Sequence, residues 1–213
     1  MTYEESLACL DEKWHLLSDE QKLEVLQTIE NKVAYDSGRM PCIVEGKFMH
    51  TGTDGVVLGA YNDSDKRIYI NTSQFTPDSL YGKDSSRLVE TTIHEGRHAL
   101  QHQVVNGEIE FDNKILADIW KYNLQPENYI SFKNNPRAYY NQPVEIDARN
   151  FASRIAKQVE QDKINYNNTH NKETNNIEYL NSSRNIFERQ INRTFDAANY
   201  MANNEYNSQS IRM

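Results

Sequence analysis

Apolar positions recur at two different periods along this 213-residue chain, and the change of period marks out its regions. Between Ser18 and Tyr35, Leu23, Leu26, Ile29 and Val33 return at helical spacing, which predicts an amphipathic helix. Ser18 followed three residues later by Gln21 reads as a capping box for its start. Ser37-Gly38 ends it, and Pro41 blocks its continuation. From Cys42 to Asn71 the period shortens. Ile43-Val44, Val56-Val57-Leu58 and Ile68-Tyr69-Ile70 are β-prone runs, separated by glycines and by the turn Asn62-Asp63-Ser64-Asp65. Gly59-Ala60-Tyr61 against Arg67 to Asn71 reads as a hairpin. From Pro77 on, the helical period returns. It predicts helices over 85–105, 112–122 and 143–162, the first stopped by Asn106-Gly107 and the third opened by Pro143. The Asn-rich stretch Asn165 to Asn176 reads as a surface loop. A last helix places Ile177, Leu180, Phe187, Ile191 and Phe195 on one face, and the chain beyond Tyr200 is expected to fray.

The expected class is therefore α+β, one mostly helical domain over 1–213 with a small antiparallel sheet. N-terminal helices occupy 1–38, the sheet 40–72, paired helices 84–162 and a C-terminal helix 173–203.

Composition narrows the function classes. A net charge of -8 and a pI near 5.3 repel phosphate backbones, and no local cluster of Lys and Arg reverses this, so nucleic acid is not expected as a partner. Thirteen Tyr and seven Phe supply enough bulky apolar surface for a packed core. Cys9 and Cys42 stand outside any CxxC, as expected of inert thiols in a reducing compartment. Glu4, Glu5 and Asp11 fall where a secretory signal needs a basic start and an apolar run, and no stretch is long enough to span a membrane. The expectation is a soluble cytoplasmic chain without a membrane partner, reaching other compartments only by a non-classical route.

Against this background one motif carries chemistry. His94-Glu95-Gly96-Arg97-His98 is an HExxH in the middle of the helix predicted over 85–105. Four residues make little more than one turn, so both imidazoles project from one face and can converge on one ion. Tetrahedral zinc accepts two such ligands from one helix. Glu95, rotated away from them, is placed to take a proton from a metal-bound water rather than to bind the metal. Val89, Ile93, Gly96, Leu100 and Val104 form the opposite, apolar stripe. Gly96 weakens a helix, by about 1 kcal/mol relative to Ala, and its place on that stripe predicts close packing against a neighbouring element.

A third ligand is needed. His102 lies two turns from His94, about 12 Å along the axis, too far to share one ion, and reads as a flanking residue. Glu145, at the start of the helix opened by Pro143, is the favoured third ligand. Asp112, Glu108 and Glu110 remain alternatives, as do structural roles for Glu145 as cap partner of Gln142 or ion-pair partner of Arg149. An extended metzincin pattern is excluded by Gln101 and Val104, where Gly and His would be required.

HEGRH followed by a Glu on a later helix resembles the gluzincin branch of zincin-like metallopeptidases. The stretch Tyr139 to Ala152 is similar to the second-helix motif of small bacterial zincins with an E-x-x-A-x-x-F-A core, related domains of which occur in secreted toxins, mobile elements and phage-borne proteins. The resemblance spans about Ile68 to Ala156. It implies one zinc ion on His94, His98 and Glu145, with Glu95 as general base. The family places an Asp four residues after the ligand Glu to orient the first His, and here Arg149 stands there, with Asp147 the nearest acid. Tyr139 and Tyr140 are candidates to stabilise an oxyanion by their proximity to Glu145. The family also has a strand bordering the cleft, and Arg67, Tyr69 and Asn71 lie on the strand expected to be that substrate-pairing edge. The function implied is hydrolysis of a peptide or protein substrate. The alternatives are an inactive, zinc-stapled binding module and a toxin-type effector protease with a single partner protein.

Overall fold

The computed structural model describes residues 1–50, 56–79 and 81–170. The chain divides into two compact units, 1–166 and 167–213. The first unit holds every element discussed below. The predicted C-terminal helix over 173–203 and the tail lie outside the described residues.

The unit is α+β. It opens with α1 (Tyr3–Leu7) and a 3-10 turn (Asp11–Leu16), followed by α2 (Asp19–Asp36). The predicted capping box is present at α2: Ser18 accepts from the Gln21 N–H while the Gln21 side chain accepts from the Ser18 N–H. Three strands follow, β1 (Ile43–Lys47), β2 (Gly59–Asn62) and β3 (Arg67–Asn71), then α3 (Ser86–Val105), α4 (Lys114–Asn123) and α5 (Pro136–Asn141). The last helix, α6, begins at 143 and is still helical at 166, where this unit ends. Residues 167–170 of the second unit are helical too, so the loop expected from Asn165 does not begin there. At the far end of α3, Gly107 takes φ +73°, the left-handed turn expected of a helix-terminating glycine.

The sheet corrects the predicted topology. Its order is β1-β3-β2, with β2 antiparallel to β3 as the hairpin expectation required, but β1 parallel to β3. The sheet is thus mixed rather than antiparallel. β3 lies at its centre, paired on both sides, so Arg67, Tyr69 and Asn71 do not form an edge. They are structural: Arg67 pairs with Glu45, Tyr69 donates to Asp65, and the Asn71 amide bonds Val57 O and the Met49 N–H. Both true edges are met by helix side chains. Along β1, the Gln27 amide of α2 behaves like an extra strand, accepting from Val44 N–H at 2.7 Å and donating to Cys42 O at 2.9 Å. Along β2, the Tyr61 N–H donates at 2.8 Å to Glu95 of α3.

The main core gathers Trp14, Leu26, Ile29, Ile68, Ile70, Phe75, Leu88 and Ile93 between α2, α3 and the sheet. A second apolar cluster, Leu100, Trp120 and Val144, joins the C-terminal half of α3 to α4 and α6. Together they hold α3 from behind and along its side, which fixes the face it turns to α6. Among the described residues, no helix is long and apolar enough to cross a membrane. Cys9 and Cys42 are free thiols, and burial pushes the Cys42 thiol up to about 12.

Candidate metal centre

Behind the HExxH, the stripe reading of Gly96 holds. A Cβ there would lie 2.4 Å from Arg39 Nη2 and 2.7 Å from Glu30 Oε2, two members of a buried ion pair. A side chain at this position would require the ends of Arg39 and Glu30 to shift, and glycine lets α3 seat against the pair as it stands.

In front, α3 and the first turn of α6 bring three side chains together. His94 Nε2 and His98 Nε2 lie 3.1 Å apart, and Glu145 Oε2 and Oε1 are 3.4 Å from them respectively. These three residues form the one His/Cys/Asp/Glu group among the described residues arranged to hold a metal ion. The competing roles of Glu145 are not taken up. Gln142 spends its side chain on Ile130 and Asn123, and Arg149 turns to Tyr140, donating to its carbonyl and lying over its ring. Asp112, Glu108 and Glu110 do not join the group, and Glu108 pairs with Lys66. His102 sits apart, its Nδ1 3.5 Å from Asp63 and its ring against Tyr61.

The three side chains are close enough to share one metal ion. Metal–ligand bonds of about 2.0–2.1 Å place two ligands of one ion about 3.3 Å apart; here the two imidazole nitrogens are 3.1 Å apart, and each lies 3.4 Å from a different oxygen of Glu145. Two bare imidazole nitrogens this close repel unless a proton or a cation lies between them. The electrostatics agree. Burial opposes charge on Glu145, yet bonds from His94, His98 and Tyr139 hold its carboxyl well below the usual carboxylate range. Burial likewise disfavours a charged His98, but the bond to Glu145 and the negative charges of Glu95 and Glu145 outweigh it and push His98 up to about 9. The cluster attracts positive charge.

Glu95 lies beside the three with one carboxylate oxygen committed to the Tyr61 N–H. Of the two tyrosines, Tyr139 reaches the centre. Its hydroxyl faces Glu145, and burial followed by that interaction raises its pKa. Tyr139 is packed edge-on among Tyr129, Phe132 and Tyr140. Tyr140 itself points away, half exposed beneath Arg149.

Asp147 is near the centre but does not touch a histidine. It accepts a forked pair of bonds from Arg97, at 2.8 and 3.0 Å, and a third from Gln101 Nε2 at 2.9 Å. The residue on His98 is Gln101, whose Oε1 lies 2.8 Å from Nδ1. In the sequence Gln101 stands only where one zincin class would require glycine, and nothing local to it reveals this role. The nearest thing to a signal is an uncharged amide, three residues after His98, on a helix flank otherwise destined for burial. Comparison with protein-family models, with curated proteins and with solved structures found no match.

Proposed function

We propose that this protein is a zinc-dependent metallopeptidase that hydrolyses a peptide or protein substrate. The observation that carries the reading is the spacing of His94 Nε2, His98 Nε2 and the Glu145 carboxylate, with the Glu95 carboxylate fixed beside them. Zinc held by these three residues would act as a Lewis acid toward a substrate carbonyl and make water acidic near neutral pH.

The chain's own groups do the rest. Glu95 is the general base. The Tyr61 N–H pins one oxygen and so aims the other, which takes a proton from the attacking water and delivers it to the departing amine. Tyr139 is the donor nearest the developing oxyanion, provided its hydroxyl turns from Glu145 as charge builds. An extended substrate would lie along β2, the strand whose outer side faces α3. In an antiparallel ladder Gly59 and Tyr61 share that outward direction, which leaves Gly59 and the Tyr61 carbonyl for pairing. The zinc-stapled binding module would need a fourth protein ligand, and His102, the histidine next along α3, pairs with Asp63 instead.

Glu95→Gln tests the mechanism. It keeps the size and the Tyr61 contact but cannot accept the proton. Peptide hydrolysis in a library assay should fall by at least about 100-fold, with zinc content unchanged by metal analysis. Hydrolysis at the wild-type rate would defeat the mechanism.

A further inference from the structure

Resting on the metal reading above, we infer that Gln101 is the residue that presents His98 to the metal. It locks the imidazole in the tautomer whose Nε2 is bare, and it is itself locked by Asp147, Arg97 and the Val144 carbonyl. Gln101 is completely buried. Its amide nitrogen has two hydrogens, and both have partners that can only accept: Val144 O at 3.0 Å and Asp147 Oδ2 at 2.9 Å. Flipping the amide would set its oxygen against a carbonyl and a carboxylate, so the orientation is determined by its surroundings.

Oε1 is therefore what faces His98 Nδ1, at 2.8 Å. A carbonyl oxygen cannot donate, so Nδ1 must carry hydrogen. In a neutral imidazole the other nitrogen is then a lone pair, and Nε2 is the atom 3.1 Å from His94 Nε2 and 3.4 Å from Glu145 Oε1. The chain of polarity begins further out. Arg97 fixes Asp147 with a two-toothed grip, and its guanidinium lies between the rings of Trp120 and Phe151, at 4.9 and 4.6 Å. A cation sets a carboxylate, the carboxylate sets an amide, and the amide sets the imidazole. The device spans α3, α4 and α6, so the ligand is oriented by the same packing that seats α6. Carboxylates commonly hold metal-binding histidines. Here an amide does so without adding a third negative charge to a pocket that already contains Glu95 and Glu145.

The test uses the full chain and Zn2+ with a competing chromogenic chelator, together with 15N NMR of the histidine rings. Gln101→Leu should weaken Zn2+ binding roughly 10- to 100-fold and expose the Nδ1 proton of His98 to rapid exchange. Gln101→Glu keeps the acceptor but turns its other oxygen on Asp147 and Val144 O. It should lose more thermal stability than the Leu variant while keeping tighter Zn2+ binding and a protected Nδ1 proton. A purely structural residue would instead rank the two variants by stability. Gln101→Leu that binds Zn2+ within about twofold of wild type, or zinc on His98 Nδ1 in the wild type, overturns the inference. If neither variant folds, the wild-type ring spectrum decides alone: a protected Nδ1 proton with zinc on Nε2 supports it, and the reverse refutes it. A wild type that takes up no Zn2+ removes the metal reading itself, whereas normal uptake matched by the Leu variant removes only the role of Gln101.

Discussion

Helix α3 meets buried charge on both of its faces, and the two faces are finished differently. Behind it, Glu30 and Arg39 are almost wholly out of water and meet as a fork, with both N···O distances at 2.6 Å. Glu30 also accepts from the Cys42 N–H, and Arg39 donates to Met40 O. One positive charge faces one negative, and the pair is complete. In front, Glu145 and Glu95 are buried carboxylates, and among the described residues the ion-pair partners of Glu145 are two imidazoles. With both imidazoles neutral that side carries two negative charges, which a divalent cation would balance and a single proton would only halve. The rear pair braces the helix, and the front cluster is built to receive charge. Gly96 lets one helix serve both purposes.

The largest expected effect comes from spoiling the complete face. Arg39→Met leaves Glu30 buried without its partner and should cost about 3–5 kcal/mol in chemical denaturation. The front face behaves otherwise: removing its positive partner, by stripping any metal with a chelator, should cost far less, because His98 takes up a proton in its place. Equal losses from the two treatments would erase the distinction.

Gly96→Ala sharpens the same contrast from between the faces. Its new methyl meets Arg39 and Glu30 at less than contact distance, and overpacking of this kind should cost about 1–3 kcal/mol. Zinc affinity of the folded fraction should change little, since the methyl points to the rear. A loss of zinc without a loss of stability would mean that the methyl acts on the wrong side.

A smaller effect is read in protons. His98 is raised from an ordinary value near 6.5 to about 9. In the metal-free protein its proton therefore adds stability that is fully present below about 6.5 and is lost as pH rises through about 9. Zinc must displace that proton, so its affinity should climb by up to about tenfold per pH unit in that window and level off above it. Calorimetry in buffers of different ionisation enthalpy should show about one proton released per zinc at pH 7.5. No buffer dependence would show that His98 is already neutral before metal arrives.

Much of this was legible in the chain. The HExxH spacing yields its geometry because a helix has a fixed period, so His94 and His98 needed only the helix to be real. Glu145 was within reach because a carboxylate at the start of a later helix has few destinations. Tertiary placement was less accessible. Arg67-Ile68-Tyr69-Ile70-Asn71 alternates in the same way whether a strand is central or at an edge, and only the parallel return of β1 along it decides. Gln101 shows the same limit. Its partners, Val144 O and Asp147, lie more than forty residues away, and its importance comes from how α6 crosses α3 rather than from any local pattern.

The most direct test of the central claim is native mass spectrometry of the chain purified in the presence of zinc, alongside His94→Ala and Glu145→Ala. The wild type should carry one zinc per chain and each variant essentially none. Wild-type protein that stays metal-free, or variants that hold zinc as the wild type does, would contradict the account.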